Sequence, residues 1–158
     1  MNKNVINGEI IFKYPDGFRL MDIEELKKYF GTSENMSGIR SEEQHIIMSF
    51  GWNKVNILLS ILAGQKSVLN GMEKRFRGSL KGFKRKENIE VNICGVKAKG
   101  FAFEYIANDG DIEQIGNIVS FRLGKFLYII QFAARKEDEQ KAQNVFDKLI
   151  VSMTINEH

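Results

Sequence analysis

The sequence is poor in the residues that carry much of the covalent and metal chemistry of proteins. Its 158 residues include one cysteine, Cys94, and two histidines, His45 and the terminal His158. A single cysteine excludes a disulfide within the chain, and without a Cys/His cluster there is no zinc site of the usual spacing. Neither a nucleophile elbow nor a phosphate-binding glycine loop is present. The sequence therefore predicts no cofactor and no metal, and it favours a function other than catalysis.

Long hydrophobic runs are also missing. The most apolar stretch, residues 55–63, is interrupted by Asn56 and Ser60, and it is far shorter than the roughly 20 residues that span a bilayer. The N-terminal residues lack the apolar segment of a secretory signal, and a single cysteine is typical of a reducing compartment. We therefore expect a cytoplasmic protein with no membrane span.

What is present indicates one domain. There is no internal repeat, low-complexity segment or linker, and 158 residues is an ordinary length for a domain. A chain of this size buries about 68–70% of its unfolded surface, so the apolar residues, 43% of the total, can form a core without disulfides. We predict a single globular domain over residues 1–158.

Local signals near the N-terminus predict a short helix over residues 23–30. Asp22 suits the N-cap, Glu25 three residues on completes a capping box, and Gly31 suits the left-handed position after the last turn. Alternating apolar residues before this helix predict two short strands, at residues 9–14 and 18–20.

In the middle of the chain the sequence pattern predicts a loop over residues 32–41, a strand over 45–52, and two helices over 54–63 and 65–80. The strand has apolar residues on both faces, so it should be buried on both, with Trp52 at least partly buried near its end. Asn53 suits the N-cap of the first helix, whose apolar residues surround most of the wheel and predict deep burial. Gly64 should break or kink the chain before the second helix.

The C-terminal half predicts an antiparallel meander and a final amphipathic helix, at residues 84–93, 97–107, 112–123, 125–134 and 137–153. The segment 126–134 is apolar on both faces except for Gln131, so we expect an interior strand with helices over both faces. The pattern as a whole predicts an α+β fold with a mainly antiparallel sheet of about six strands, flanked by helices.

Charge is concentrated in one segment. Residues 66–86 hold eight Lys or Arg and one Glu, whereas the whole chain has a net charge of only +3. The ordinary interpretation is that this segment is a solvated helix face. The functional interpretation is that it binds an anionic partner protein, a membrane surface or nucleic acid. No aromatic residue alternates with these charges, so we expect weak, salt-sensitive binding to polyanions without sequence specificity. The candidate surface consists of Lys66, Lys74, Arg77, Lys81, Lys84 and Arg85.

A second candidate site lies on the predicted sheet. Its members are aromatic residues that alternate along one strand, a carboxylate between them, and two basic residues of the preceding elements: Phe101, Phe103, Tyr105, Glu104, Arg40 and His45. If Glu104 lies on a partly buried face of the sheet, its carboxylate requires a salt-bridge partner, and Arg40 and Arg122 are the candidates. The alternative is that Glu104 is the carboxylate of a binding site. His45 is either a solvated structural residue or the base of an enzyme.

Three glycines recur at intervals of seven, Gly64, Gly71 and Gly78. Glycine inside a helix costs roughly 1 kcal/mol relative to alanine, so something should offset it. Close packing of this face against another element or a second subunit is one interpretation, and tolerance on a solvent-facing helix is the other. The oligomeric state, monomer or homodimer, stays open.

Residues 11–18, Ile-Phe-Lys-Tyr-Pro-Asp-Gly-Phe, resemble the start of PsbP-like domains, "F-x-Y-P-x-G-F/W". The end is similar too, with an aromatic strand over 128–134 and a helix that carries Phe-Asp-Lys-Leu-Ile at 146–150 and then Ser152. The family includes the extrinsic protein PsbP of photosystem II and a nuclear-import factor that binds the GTPase Ran. The chain resembles a bacterial branch of it, because no ligand residues of the photosystem members and no thylakoid targeting segment are found.

The resemblance implies a three-layer α/β/α sandwich with a C-terminal helix and a non-catalytic binding or assembly role; it transfers no functional residue. The leading interpretation is therefore a cytoplasmic binding module that engages a protein partner. A carrier with a small-molecule or lipid pocket between sheet and helices is the alternative, and an enzyme that uses His45 is the third.

Overall fold

The computed structural model of the chain describes residues 1–55, 57–108 and 110–157, apart from the side chains of residues 57–65. In these ranges the chain forms three α-helices, α1 Ile23–Phe30, α2 Ile57–Ser79 and α3 Glu139–Val151, with a 3₁₀ turn over Lys136–Asp138. The strands are β1 Asn2–Ile6, β2 Ile10–Tyr14, β3 Arg19–Leu20, β4 Met36–Ser41, β5 Ile46–Lys54, β6 Lys81–Ile93, β7 Val96–Ile106, β8 Glu113–Leu123, β9 Phe126–Arg135 and β10 Thr154–Ile155.

The strands form two antiparallel sheets. The larger has seven strands in the order β3-β4-β5-β9-β8-β7-β6, and the smaller has the order β1-β2-β10. The predicted meander is present as β6 to β9, each strand paired with the next. The α+β fold class, the mainly antiparallel sheet and the C-terminal helix are confirmed.

Both faces of the large sheet carry a covering layer, which is incomplete on one of them. On one face α3 and the small sheet enclose the main core, in which Phe132 and Phe146 meet edge to face at 5.1 Å between ring centroids. On the other face α2 covers a second cluster around Phe76, Phe101 and Ile118. Strand β9 lies between β5 and β8, which confirms the predicted interior position. The predicted helices over both faces are only partly correct, because α3 covers one face but Gln131 and Ala133 line an open groove on the other.

The residues that carry the resemblance hold the two ends of the chain together. Phe12 is buried with its ring centroid 4.5 Å from that of Phe50. Ser152, just after α3, accepts a hydrogen bond from the Lys13 amide at 3.1 Å and donates to the Lys13 carbonyl at 3.0 Å. These contacts of the motif residues therefore stabilise the fold.

Two predictions about the first half of the chain were wrong. Residues 36–41, predicted as part of a loop, form β4, because Gly38 and Ile39 are buried against neighbouring elements despite the polar sequence around them. Asn53 does not cap a helix; it continues β5 opposite Leu127, because the ladder with β9 extends to Lys54. Trp52 is half-buried, as predicted.

Helix α2 also differs from the prediction. It runs without a break through position 64, because a glycine costs too little to end a helix of this length. A Cβ added at Gly71 or Gly78 would meet no atom within 4 Å. Close packing of the glycine face against another element of this chain is therefore wrong for those two positions; the Gly64 surroundings and the predicted burial of residues 57–63 lie outside the described side chains.

Candidate functional site

A groove lies where the helical cover of the large sheet is incomplete. Helix α1 packs on β4 through Leu26, and the end of α2 packs on β7, where the ring centroids of Phe76 and Phe103 are 5.0 Å apart. Between the two helices the sheet is open to solvent and forms a groove of about 440 Å³. We call it the α1–α2 groove; its main lining residues are Tyr29, Phe30, Ile47, Arg75, Phe76, Leu80, Phe103, Tyr105, Gln131 and Ala133.

Most of the lining is apolar, but three of its residues carry hydrogen-bond donors: Arg75, Tyr105 and Gln131. None of the three has a side-chain hydrogen bond or ion pair with another residue that the structure describes. Burial raises the pKa of the Tyr105 phenol, so its hydroxyl remains a donor at neutral pH. An apolar groove with a few unpartnered donors is typical of a binding site.

A second depression continues the groove toward the β4–β5 turn. It shares Tyr29 and Ile47 with the groove and has a volume of about 430 Å³. Arg40, His45 and Arg135 contribute its basic side chains. The two depressions together form one elongated surface across the face of the sheet.

The structure separates the six residues of the predicted pocket. Phe103 and Tyr105 line the α1–α2 groove, and Arg40 and His45 line the adjoining depression. Phe101 is fully buried beneath the Arg85 guanidinium, 4.5 Å from the ring centroid. Because side chains alternate along a strand, Glu104 lies on the opposite face of the sheet from its neighbours Phe103 and Tyr105.

Glu104 is held by lysines and not by the predicted arginines. Its carboxylate is 3.2 Å from the Lys136 ammonium and 3.8 Å from that of Lys86. Arg40 lies on the other side of the sheet, and Arg122 is opposite Leu127 near the far end of β8. The salt-bridge interpretation of Glu104 is therefore correct, but the predicted partners were wrong.

Arg40 belongs to an ion-pair network that joins α1 to β4. Its guanidinium is 2.9 Å from the Glu25 carboxylate, which also binds Arg19 at 2.7 Å. The hydrogen bond from Arg19, with further bonds from the Asp22 amide and from Arg40, lowers the pKa of Glu25 from 4.5 to about 2. Arg19 binds Glu42 as well, so this end of the surface is largely neutralised.

His45 is exposed in the turn before β5 with a positive φ of 55°. It makes no hydrogen bond or ion pair with any other residue in the described ranges, so nothing there orients it as a general base. The position supports the solvated interpretation of this side chain.

The predicted basic surface is in part a structural element. Glu73 of α2 binds Arg85 of β6 and, at 2.9 Å, Arg77; these bonds, first the one from Arg85, lower the pKa of Glu73. Arg77 also lies over the Phe83 ring, at 5.1 Å. Arg77 and Arg85 therefore tie α2 to β6 as much as they present charge to solvent.

The remaining members of this surface divide in two. Lys81 forms an ion pair with Asp111 at 2.8 Å. Lys66, Lys74 and Lys84 are exposed and have no acidic partner in the part of the chain that the structure describes. The charge available to a polyanion is thus about half of what the sequence predicted.

Sequence reasoning missed Arg75 and Tyr29. Arg75 was counted with the charged segment, but it is one position before the buried Phe76, and at 100° per residue it lies on the opposite side of Phe76 from Arg77. Gln131 was the signal that pointed to this groove, since it interrupts the apolar and aromatic side chains of β9 between Phe126 and Ala134.

Three further features bear on metal binding, on thiol reactivity and on a membrane span. Within the described residues no three His, Cys, Asp or Glu side chains lie together as metal ligands. Burial raises the pKa of the Cys94 thiol, which keeps it protonated. In the part of the chain that the structure describes, none of the helices combines the length and the apolar composition of a membrane span.

No family model and no curated protein sequence matches the chain, but solved structures do. Cyanobacterial PsbP (CyanoP) from Synechocystis sp. PCC 6803 is 14% identical with a TM-score of 0.65, over 98% of this chain and 92% of that one. The Ran-binding protein Mog1p of Saccharomyces cerevisiae is 11% identical with a TM-score of 0.55, over 98% and 96%. LpqN of Mycobacterium tuberculosis, involved in cell envelope biogenesis, is 15% identical with a TM-score of 0.56, over 94% and 83%.

The chain therefore has the PsbP-like fold, and the resemblance drawn from the two ends of the sequence is confirmed at the level of fold. At these identities the likeness concerns the fold alone. The same architecture serves proteins with different descriptions, so function has to be argued from the surface of this chain.

Proposed function

We propose that this protein is a non-enzymatic binding module that engages a segment of a protein partner in the α1–α2 groove. The observation that carries the proposal is the uncovered face of the large sheet, where apolar side chains and three unpartnered donors lie together. An apolar floor supplies affinity, and a few oriented polar groups supply specificity.

The elongated shape favours a chain segment over a compact ligand. The groove continues into the second depression through Tyr29 and Ile47, and both are open on one side. An extended peptide can place alternate side chains into such successive depressions. Tyr29, which is 41% exposed, lies between them and offers an aromatic surface of the kind that is enriched at interfaces.

The structural neighbours are consistent with this role. Mog1p is described as Ran-binding, so one protein of this fold binds a protein partner. By analogy we assign the same class of role to this chain, with a cytoplasmic location and a monomeric or homodimeric state as further parts of the proposal.

A photo-crosslinking amino acid at Ser79, on the rim of the groove, tests the proposal in cells of the native host. We expect one discrete adduct with another protein from this position. Asn144, exposed on α3 at the opposite face, is the control position and should give none. Adducts of equal yield at both positions, or no adduct at Ser79, would contradict the proposed function.

A small-molecule carrier is the second candidate. The groove volume of about 440 Å³ falls in the roughly 300–1,000 Å³ range of ligand sites. Native mass spectrometry of the purified protein separates the two candidates, because a carrier retains a co-purifying mass that denaturation releases. A partner-binding module gives the mass of the bare chain.

A further inference from the structure

We infer that the occupant of the α1–α2 groove is an extended, acidic protein segment with alternating apolar side chains, and that Arg75 binds one of its carboxylates. This inference rests on the proposed function and names the chemistry of the partner. It depends on which charges around the groove are already neutralised and which are not.

Arg75 is the unneutralised cation of the groove. Arg40 is bound to Glu25, and Arg135 has Glu137 at 3.7 Å, whereas Arg75 has no acidic side chain in ion-pair distance among the described residues. A guanidinium beside apolar walls is weakly hydrated and presents a planar pair of donors that matches a carboxylate. An acidic partner residue is the complement of this arrangement.

The helix geometry directs this arginine into the groove. Phe76 is buried against the sheet, so Arg75 and Arg77 lie about 100° to either side of it. Arg77 turns toward Phe83 and Glu73, and Arg75 turns toward the groove. Lys74 lies nearly opposite Phe76 and is exposed.

The other two donors fit the backbone or a second carboxylate of an extended segment. The Tyr105 hydroxyl and the Gln131 amide lie on strands β7 and β9, on the floor of the groove. The apolar lining around them, including Ile47 and Leu80, is open to aliphatic side chains. A segment that alternates acidic and apolar residues can turn its apolar side chains toward the floor and its acidic side chains toward exposed Arg75 on α2, because alternate side chains of an extended chain point to opposite sides. Its backbone carbonyls then face the two donors of the floor.

Fluorescence anisotropy with synthetic peptides tests the inference on the full chain. The probe is a fluorescein-labelled eight-residue peptide of alternating Asp and Leu. Peptides of alternating Lys and Leu, and of alternating Asp and Ser, remove the charge complementarity and the apolar contacts in turn. We expect binding of the first peptide and binding weaker by at least about tenfold for the other two.

Two neighbouring substitutions separate a direct contact from the general field of the protein. Arg75→Glu and Lys74→Glu change the net charge equally, at neighbouring positions whose side chains point in different directions. We expect Arg75→Glu to raise the Kd of the Asp/Leu peptide at least about tenfold, and Lys74→Glu to change it less than about twofold. Tyr105→Phe should raise it about three- to tenfold, the effect of one lost hydrogen bond.

Equal effects of the two charge reversals, or equal affinity for the Asp/Leu and Lys/Leu peptides, would overturn the inference. Absence of peptide binding while the Ser79 adduct persists in cells would overturn the acidic occupant and leave the proposed function standing. Loss of the Ser79 adduct contradicts the proposed function itself, whatever the peptides do. Arg75, Lys74 and Ser79 are exposed, and Tyr105→Phe removes only a hydroxyl from a half-buried ring, so the variants should fold; thermal melting checks this.

Discussion

Glu25 performs two structural tasks with one carboxylate. It caps α1 through the Asp22 amide, and it binds the guanidinium groups of Arg19 and Arg40 at 2.7 and 2.9 Å. The capping role was predictable from the capping-box spacing in the sequence. The ion pair with Arg40 was not, because Arg40 reaches Glu25 only when residues 36–41 form a strand beside α1, and the polar sequence of that segment predicted a loop.

The depressed pKa of Glu25 makes the stability of the fold sensitive to acid. Its folded pKa of about 2 lies below the ordinary glutamate value of 4.5, so the unfolded chain takes up this proton first as the pH falls. The stabilisation is complete above about pH 4.5 and is lost between that value and about pH 2. We expect Glu25→Gln to lower the free energy of unfolding at pH 7 and to flatten its decline over this window.

Urea unfolding at pH 7, 4, 3 and 2.5 measures this dependence. Glu24 is the matched control, because it lies beside Glu25 in the first turn of α1, is exposed and has no ion pair in the described ranges. Glu24→Gln should leave the slope between pH 4.5 and 2 nearly unchanged. Parallel pH profiles for the wild type and Glu25→Gln would show that the network does not stabilise the fold.

At the scale of the element, glycines in α2 and in the sheet have opposite roles. Gly71 is exposed on α2 with no atom near its missing Cβ. Gly100 of β7 is different, because a Cβ there would overlap the carbonyl of Ile118 on β8. The recurrence of glycine in the sequence drew attention to the first kind, although only the second is required by packing.

Alanine substitutions distinguish the two kinds of glycine. We expect Gly71→Ala to stabilise the protein by up to about 1 kcal/mol through helix propensity. Gly100→Ala should destabilise it strongly or prevent folding, because the strands would have to separate. Thermal unfolding with size-exclusion chromatography measures both. A loss of stability in Gly71→Ala, or a change in its oligomeric state, would instead show that this face contacts a second subunit.

Elements were predictable where the local signal and the tertiary environment agree. The ends of α1 and the four strands of the meander follow from capping residues, turns and alternation. The errors at β4, Asn53 and Gly64 share one cause: each local signal is worth only about 1 kcal/mol, and pairing with a neighbouring strand or continuation of a long helix outweighs it. The α1–α2 groove was only partly predictable, since it depends on where two helices fail to meet.

At the scale of the whole molecule, charge is arranged on two separate surfaces. Arg75 faces the α1–α2 groove, and the six residues of the predicted basic surface lie along the outer side of α2 and the edge strand β6. The net charge of +3 is too small to make the entire protein a polyanion binder. Three of the six cations already have partners, since they form ion pairs with Glu73 and Asp111 or lie over the Phe83 and Phe101 rings. These contacts further reduce the positive charge that the surface can present to a polyanion.

Binding to duplex DNA measures how many of these charges are free. Log Kobs falls with log salt with a slope of about −0.9 per neutralised phosphate, so the three unpaired lysines, Lys66, Lys74 and Lys84, predict a slope of about −3. Six free cations would give about −5. We expect weak binding, with a Kd of about 10⁻⁴–10⁻⁶ M that is the same for unrelated sequences.

Substitution identifies which charges contribute to that slope. Lys84→Gln removes an unpaired lysine and should make the slope shallower by about one. Lys81→Gln removes a lysine that already binds Asp111 at 2.8 Å, and it should change the slope less because Asp111 already offsets that charge. A titration at five salt concentrations resolves the difference. A slope steeper than about −5 would show that the ion pairs open to phosphate. Tight binding that survives high salt would show that α2 and β6 form a specific nucleic-acid site.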